Sequence, residues 1–330
     1  ILMQRKLAGR PVNPIGLGCM SLSWAYGVPP AEDYALTLLN RALDLGYDHL
    51  DTANIYGLGH NETLIGRALR GRRREFFLAT KMGIVVEGPN RGIDCSPDSI
   101  RRSIDASLQR LQTDHVDLYY MHRFDPKVPI ADMMGTMAEL VAAGKIGAVG
   151  VSEWSAAQIR EAHAIHPIAT VQTEYSLWTR NPEIAVLDTC RQLGITFVAF
   201  SPVARGVLAN GVGDVANLAE KDLRRTMPRF DAVNWPKNRA LVDRFNALAA
   251  SHGVTPAQLS LAWVLSRGEH VVAIPGTANL DHLGENLARS GWALPEGLGA
   301  ELDALINQQT VAGPRYSAAA QSTVFTEEFA

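Results

Sequence analysis

Four polar side chains, costly in an apolar interior, fall at or just beyond the ends of strand-like runs in this chain. They are Asp51, Tyr56, Lys81 and His122, in the strings LGYDHLDTANIYG (45–57), FFLATKMG (76–83) and VDLYYMHRFDP (116–126). Each string passes from apolar into polar residues. We therefore expect the four side chains to gather at one end of a barrel.

A tyrosine beside a lysine, a carboxylate and an imidazole suits the reduction of a carbonyl group, which leaves an oxyanion that needs a proton. Tyr56 would supply that proton. A tyrosine has an ordinary pKa of about 10, and the Lys81 ammonium would lower it. Asp51 would keep Lys81 charged in a buried site. His122 would donate a hydrogen bond to the substrate oxygen.

Each of these residues also has a purely structural interpretation. Asp51 can hold a turn, Tyr56 can be an aromatic at a rim, and His122 can be a hydrogen-bonded core histidine. Lys81 can also be the Schiff-base lysine of a barrel aldolase. The occurrence of all four together favours reduction, because an aldolase needs neither the tyrosine nor the cofactor strings described below.

Composition narrows the function further. The 330 residues are 47% hydrophobic and 20% charged, with a formal charge of −3. We therefore expect no basic surface that would bind nucleic acid or an anionic membrane. Cys19, Cys95 and Cys190 are widely spaced and form no metal-binding pattern. The first residues lack the apolar core of a signal peptide, and no membrane-length apolar run occurs. We expect a soluble cytoplasmic protein without a metal that acts on a small molecule; its oligomeric state is left open.

Strand-like and helix-like runs alternate along the chain, which is typical of parallel strands with helical crossovers. The eight predicted strands span 14–20, 49–54, 76–82, 116–122, 148–154, 169–175, 196–202 and 271–277. Helix-like stretches include 33–46, 99–112 and 183–194. A doubly wound sheet would need G-x-G-x-x-G after the first strand, but GCMSLSWAYG stands there. We predict one α/β domain over 1–330, a (β/α)8 TIM barrel with extra helices and a short N-terminal segment.

Two segments exceed the repeating unit. They are an insertion at 203–255 and a C-terminal segment at 291–330, and both are expected near the catalytic face. Within the second, residues 315–330 are rich in small and polar side chains. A lid and an oligomer contact are alternatives for this stretch, and a frayed terminus is the default expectation.

The string LDTANIYGLGHNETLIGRAL (50–69), followed by ATKMG and YYMHRFDP, resembles the aldo-keto reductases, and the resemblance covers essentially the whole chain. Four later strings resemble the bacterial and plant members related to potassium-channel beta subunits: GVSEW, VQTEYSLW, FSPVARGVL and IPGTANLDHLGEN. The resemblance implies reversible NAD(P)H-dependent reduction of an aldehyde or ketone. The alternative is a regulatory subunit that binds the cofactor and turns over slowly.

The resemblance also implies where the cofactor would bind. Ser152 and Gln172 would hydrogen-bond the nicotinamide carboxamide, and Phe200 would stack on the ring. The remaining expected contacts run along the pyrophosphate, the 2'-phosphate and the adenine: Ser201, Val203, Arg205, Gly276, Thr277, Asn279, His282, Glu285 and Asn286.

One departure from the commoner family pattern concerns the 2'-phosphate of NADPH. Gly276 and His282 stand where that pattern has lysine and arginine. Thr277, Asn279, His282 and helix-terminal amides remain as candidate phosphate contacts. The resemblance therefore makes NADP(H) the first expectation and leaves NAD(H) open.

The substrate pocket is expected to include Trp24, Met82 and Arg123. Tyr26, Trp154 and Trp178 are further candidates for an apolar wall, and the alternative for a tryptophan is that it covers the core. Arg123 would either neutralise an acidic group of the substrate or pair with Asp125.

Overall fold

The computed structural model describes residues 4–330, and a closed parallel barrel forms its centre. The strands are β1 (Arg5–Leu7), β2 (Arg10–Val12), β3 (Leu17–Gly18), β4 (His49–Asp51), β5 (Phe77–Met82), β6 (Ile84–Glu87), β7 (Asn90–Ile93), β8 (Val116–Met121), β9 (Ile146–Ser152), β10 (Thr170–Glu174), β11 (Thr196–Phe200) and β12 (Val271–Ile274). Eight of them pair in the order β12-β11-β10-β9-β8-β5-β4-β3. Parallel bridges from Ile15 to Ala273 and from Gly18 to Gly276 join the two edges. The predicted (β/α)8 barrel is confirmed.

Helices surround the barrel. They are α1 (Glu32–Leu45), α2 (His60–Ala68), α3 (Pro97–Leu111), α4 (Ile130–Ala142), α5 (Ala156–Ile165), α6 (Val186–Leu193), α7 (Trp235–Ser251), α8 (Pro256–Leu265), α9 (Leu280–Ala288), α10 (Leu298–Leu305) and α11 (Ala318–Gln321). α1 and α6 end at Gly46 and Gly194, whose φ angles of 106° and 68° are left-handed and favour glycine. Across residues 4–330, the helices are too short or too polar to cross a membrane.

Side-chain alternation along the strands separates the barrel interior from the layer under the helices. In β5, Phe77 and Ala79 belong to the interior cluster, whereas Leu78 and Met82 pack in the outer core. Lys81 lies on the interior face, at the carboxyl end of the strand. The prediction that Met82 lines the substrate pocket is therefore wrong, because the residue after an inward-facing lysine faces outward.

The antiparallel hairpin β1–β2 closes the amino-terminal end of the barrel. Thr196, the first residue of β11, donates its hydroxyl to the Lys6 carbonyl at 2.8 Å, and Arg5 Nη2 donates to the Leu265 carbonyl at 2.7 Å. Leu7 and Val12 of the hairpin pack into the interior cluster. The open end of the barrel is thus the carboxyl end, where the polar side chains lie.

Two features of the open end lie outside the predicted elements. The hairpin β6–β7 extends directly beyond β5 and turns within the sequence EGPN. The segment from 203 to 234 consists of loops and short 3-10 turns before α7 begins. The β6–β7 hairpin and this segment both contribute residues to the cavity described below.

The C-terminal segment packs across the open end. Arg315 donates from Nε to Glu174 at 2.5 Å and from Nη1 and Nη2 to Glu153. Thr326 donates its hydroxyl to Glu153 at 2.7 Å, and the Phe325 amide donates to the Glu153 carbonyl at 2.9 Å. The default expectation of a frayed terminus was wrong, because a buried guanidinium and two carboxylates fix this segment to the ends of β9 and β10.

The two carboxylates depend on that guanidinium. Burial raises the pKa of Glu153 and of Glu174, but the neighbouring arginines, Arg315 foremost, together outweigh burial and lower both. The pKa of Glu174 falls to about 2. Because both pKa values lie below those of an unfolded chain, both glutamates favour folding above about pH 4.3, and this contribution is lost as pH falls further.

We expect Arg315→Ala to destabilise the protein by about 3–5 kcal/mol, because it leaves buried Glu153 without its ion-pair partner and Glu174 with Arg205 alone. Arg191→Ala is the matched control: its side chain is 66% exposed and pairs with Asp188 on the surface, so a change within about 1 kcal/mol is expected. Urea unfolding followed by circular dichroism compares the two. Equal shifts for both variants would contradict this role for Arg315.

The difference between wild type and Arg315→Ala should shrink as pH falls from about 6 toward 3. In the wild type, the lowered pKa values stabilise the fold above about pH 4.3, and this contribution declines as pH falls through those values. In the variant, Glu153 lacks its ion-pair partner and takes up a proton more readily, whereas Glu174 keeps its contact with Arg205. Unfolding midpoints measured across this pH range test the trend. A gap that widens at low pH would exclude the glutamates as its source.

Candidate active site

A cavity of about 1210 Å³ opens at the carboxyl end of the barrel. Asp51, Tyr56 and His122 line it, and Lys81 lies directly beneath. The structure thus brings the four predicted catalytic residues together. They come from the ends of β4, β5 and β8 and from the turn after β4, where the carboxyl ends of parallel strands converge.

Lys81 is the central contact of the group. Its fully buried ammonium donates to Asp51 Oδ1, to the Thr52 carbonyl at 2.8 Å and to the Tyr56 hydroxyl at 3.2 Å. Burial acts to lower the pKa of Lys81, but the charges of Asp51 and Tyr56 outweigh it and the net shift is upward. Lys81 is therefore charged at neutral pH, as expected from its partnership with Asp51.

The pKa of Tyr56 is raised rather than lowered. Burial is the largest cause, and the attraction of the phenolate to Lys81 offsets only part of it. The expectation that Lys81 would bring this pKa below its ordinary value did not include the cost of desolvation. A phenol that stays protonated at neutral pH can serve as a proton donor, and the adjacent ammonium stabilises the phenolate that donation leaves.

His122 is neutral in this site. Burial and the nearby positive charges of Lys81, Arg123 and Arg91 bring its pKa well below the ordinary value. The ring lies edge-on to Tyr56 with centroids 5.9 Å apart, and its Nδ1 has no hydrogen-bond partner among residues 4–330. A neutral imidazole carries one N–H donor, which suits a hydrogen bond to a substrate oxygen.

Two buried polar residues of the same sequence motif, Asn61 and Glu62, follow the turn that carries Tyr56 and fix it through hydrogen bonds. The Asn61 amide donates to the Cys19 carbonyl and to Ser23, both at 2.8 Å. Glu62 accepts from Arg110 at 2.7 Å. The conspicuous Asn-Glu pair in LDTANIYGLGHNET therefore positions the tyrosine turn and does not enter the cavity.

The predicted cofactor residues lie along the same cavity, with one exception. Those that line it are Ser152, Gln172, Phe200, Ser201, Val203, Arg205, Gly276, Thr277, His282, Glu285 and Asn286. Asn279 does not line the cavity: its side chain accepts from the Asp281 amide at 2.8 Å and caps α9. The prediction for Asn279 is corrected, because a helix that begins at Leu280 uses this residue as its N-cap.

Two of the cofactor candidates already have partners within the protein. Gln172 donates to Asp51 Oδ2 at 2.8 Å, which links it to the Lys81 ion pair. The Arg205 side chain is 9% exposed and contacts Glu174 at 3.3 Å and the Tyr316 hydroxyl at 2.8 Å. Each residue therefore acts within a network of hydrogen bonds.

The cavity has the size and lining for a long polar ligand such as a dinucleotide. Gly276, which follows β12, has no side chain to cover its backbone. A Cβ at this position would lie 3.1 Å from the Gly18 carbonyl oxygen. Ser21 also lines the cavity, and its buried hydroxyl has no partner among residues 4–330. Phe200 faces the same space, at the end of β11. These residues fit the nicotinamide dinucleotide implied by the sequence resemblance.

The candidate 2'-phosphate region has no lysine or arginine between Gly276 and Asn286. Thr277 and His282 lie side by side there, with Oγ1 and Nδ1 3.3 Å apart. Both residues line the cavity. A hydroxyl and an imidazole are thus the side chains that this loop offers to an anion.

The substrate end contains some of the predicted residues and excludes others. Trp24, Tyr26 and Arg123 line the cavity, whereas Trp154 and Trp178 are buried in the core. The two buried tryptophans therefore follow their structural alternative and cover the core.

Arg123 does not pair with Asp125. Asp125 accepts instead from the backbone amides of Cys95 at 2.9 Å and of Lys127 at 3.0 Å. Of the two partners expected for Arg123, the intramolecular one is thereby excluded.

The cavity residues that the sequence did not predict include three with long polar or aromatic side chains. Arg91 comes from the unpredicted hairpin β6–β7, where the turn sequence EGPN was the available signal. Arg224 stacks 4.8 Å from the Tyr26 ring and lies in an irregular segment without periodicity. Tyr316 lies in the C-terminal segment, where a single Arg-Tyr pair among small residues was the only hint.

Comparisons with known proteins agree with this geometry. The sequence pattern of the aldo/keto reductase family matches residues 14–307. "Probable aldo-keto reductase 1" from Glycine max is 42% identical over 93% of this chain and 89% of its own length. "Aldo-keto reductase yakc [NADP(+)]" from Schizosaccharomyces pombe is 40% identical over 98% and 97%.

Among solved structures, an aldo-keto reductase from Klebsiella pneumoniae in complex with NADPH superimposes with a TM-score of 0.73. It is 26% identical and covers 96% of this chain and 99% of its own. The chain belongs to the aldo/keto reductase family, which confirms both the predicted family and the predicted reaction class, the NAD(P)H-dependent reduction of an aldehyde or ketone.

Proposed function

We propose that Tyr56 is the proton donor of this reductase and that Asp51, Lys81 and His122 prepare it for that role. The observation that carries the proposal is the 3.2 Å contact between the Tyr56 hydroxyl and the Lys81 ammonium, itself bound to Asp51. This chain of contacts joins a proton donor to a fixed positive charge at the base of a cavity. Few purely structural roles would require that arrangement in an apolar barrel.

The steps follow from the side chains. The neutral His122 ring would donate a hydrogen bond to the carbonyl oxygen and orient it toward Tyr56. The bound nicotinamide supplies a hydride. As the carbonyl oxygen becomes negative, the Tyr56 O–H bond breaks and its proton passes to that oxygen. Lys81 stabilises the resulting phenolate, and Asp51 holds Lys81 in place.

The cofactor is proposed to be NADP(H). Two observations support this: the Klebsiella pneumoniae relative binds NADPH, and the Schizosaccharomyces pombe relative carries NADP(+) in its name. Ser152, Gln172 and Phe200 would hold the nicotinamide. Thr277 and His282 would contact the 2'-phosphate in place of lysine and arginine, so use of NAD(H) is also proposed.

The surroundings of Lys81 argue against the aldolase alternative. A Schiff-base lysine must be neutral to attack a carbonyl carbon. Lys81 has a raised pKa and three hydrogen-bond partners that keep it protonated. Nothing in the cavity favours the regulatory-subunit alternative over an enzyme. A cytoplasmic location is proposed as well, supported by three buried cysteines that form no disulfide within residues 4–330.

Tyr56→Phe should lower kcat by at least about 100-fold, in the range by which general acid catalysis accelerates such reactions. The affinity for NADPH should stay within about twofold, because the hydroxyl faces the substrate oxygen. Stopped-flow absorbance and fluorescence titration measure the two quantities. Tyr119→Phe is the control, since it removes a buried hydroxyl outside the cavity that has no partner among residues 4–330. Retained turnover in Tyr56→Phe would remove Tyr56 from the acid role.

His282→Arg should strengthen NADPH binding by about tenfold and leave NADH binding within about twofold, because a guanidinium adds charge-assisted hydrogen bonds to a phosphate that NADH lacks. Quenching of tryptophan fluorescence by each cofactor gives both dissociation constants. Arg191→Ala, far from the cavity, should change neither. Equal strengthening for NADPH and NADH would place His282 away from the 2'-phosphate.

A further inference from the structure

Two arginines at the substrate end of the cavity lack an acidic partner. Arg123 Nη1 donates to the His122 carbonyl at 2.7 Å, and the Arg91 guanidinium lies 5.0 Å above the Trp24 ring. Within residues 4–330, no carboxylate oxygen lies within 4.0 Å of either guanidinium. We call Arg91 and Arg123 the mouth arginines.

Two other arginines of the cavity are paired. Arg205 contacts Glu174 at 3.3 Å, and Arg224 contacts Asp222 at 2.6 Å. The mouth arginines differ from these two in having charge without an intramolecular counterion. Lys127, which also lines the cavity, donates to the Ile93 carbonyl at 2.9 Å and likewise has no carboxylate oxygen within 4.0 Å among residues 4–330.

Nearby charges at the mouth do not supply that counterion. Both carboxylate oxygens of Asp125 accept backbone amides, and Asp94 lies close enough to Lys127 for that ammonium to help lower its pKa. Burial and the charge of Arg123 together lower the pKa of Arg91, so the two guanidiniums repel each other. A bound anion would relieve this repulsion and gain hydrogen bonds from both.

The cofactor phosphates are poorly placed to be that anion. Candidate phosphate contacts follow β11 and β12, whereas Arg123 follows β8 and Arg91 belongs to the hairpin after β5. In the closed order of strands, the β5–β8 pair lies diametrically opposite the β11–β12 pair. The mouth arginines therefore face the side of the cavity away from the dinucleotide phosphates.

We propose that the substrate is an aldehyde or ketone that also carries a carboxylate or phosphate, and that the mouth arginines bind this anionic group. The inference rests on the proposed function, because Tyr56 and His122 must hold the carbonyl oxygen. Arg123 directly follows His122, so an anion held at Arg123 lies close to the group that orients the carbonyl. Arginine suits either anion, since its planar guanidinium donates two parallel hydrogen bonds. Trp24 gives the intervening carbon chain an apolar wall.

The test compares pairs of substrates in which one member carries an anionic group and the other is neutral. With NADPH in excess, we expect kcat/KM for 4-formylbenzoate to exceed that for methyl 4-formylbenzoate by about 10–100-fold, mainly through KM, as for hydrogen bonds to a charged group. Added NaCl should reduce the ratio. Glyceraldehyde 3-phosphate and glyceraldehyde form the second pair and distinguish a phosphate from a carboxylate preference. Neutral members reduced as well as the anionic ones in both pairs would overturn the proposal.

Variants assign the preference to the mouth arginines. Arg123→Gln should bring the ratio of kcat/KM values close to 1, Arg123→Lys should retain part of it, and Arg91→Gln should lower it several-fold. Arg191→Gln, an exposed arginine on α6, should retain the full ratio. A ratio unchanged in Arg123→Gln and Arg91→Gln would overturn the assignment.

A binding measurement separates this inference from the reaction itself. Calorimetry of the enzyme saturated with NADP⁺ should show 4-methylbenzoate, which has no alcohol to oxidise, binding at least about tenfold tighter than its methyl ester, and Arg123→Gln should remove the difference. If no carbonyl compound is reduced but this difference is present, the proposed function fails and the anion site stands. If the neutral carbonyls are reduced and no difference in binding is seen, the anion site fails alone.

Discussion

The buried ion pair between Lys81 and Asp51 is the interaction on which the site depends. Two charges in the interior of a barrel are tolerated only when each is fully hydrogen-bonded. The Thr52 carbonyl and the Tyr56 hydroxyl accept the remaining hydrogen bonds of the Lys81 ammonium, and Gln172 donates to the second oxygen of the Asp51 carboxylate. These bonds reach from β4 and β5 across to β10. The ion pair therefore couples opposite sides of the barrel to the orientation of one tyrosine.

Polar groups around the open end of the barrel differ in how many of their hydrogen bonds are made within the protein. Asn61 and Glu62 behind the tyrosine turn are fully bonded, and Arg315 is enclosed by two glutamates. His122 and Ser21, by contrast, line the cavity, and His122 Nδ1 and the Ser21 hydroxyl have no hydrogen-bond partner in the part of the chain that the structure describes. The fully bonded groups hold the framework around the cavity.

Much of the fold could be predicted because strand alternation and helix ends are local properties. The eight barrel strands, the glycine stops at Gly46 and Gly194 and the gathering of the four catalytic candidates all follow from short-range patterns. Met82 was misassigned because alternation was not applied to the residue next to Lys81. Asn279 was misassigned because its side chain caps α9, which begins at Leu280.

What could not be predicted depends on contacts between residues distant in sequence. Arg315 and Glu153 are 162 positions apart in the sequence, and no local pattern predicts that they pair. The net pKa shift of Tyr56 depends on how deeply the barrel buries it, which charge spacing alone does not give. The counterion-free state of Arg123 likewise required knowing that Asp125 is occupied by backbone amides.

The C-terminal segment forms part of the cavity wall through Tyr316, Ser317 and Phe325, while the hairpin β1–β2 closes the opposite end of the barrel. Changes at the two ends of the chain would therefore affect the cavity differently. An affinity tag or fusion partner attached at the amino terminus would stand far from the catalytic groups. Exchange of residues 317–330 between relatives would reshape the entrance, provided that the contacts of Phe325 and Thr326 with Glu153 were kept. Selectivity can in this way diversify while the barrel strands and the catalytic groups stay unchanged.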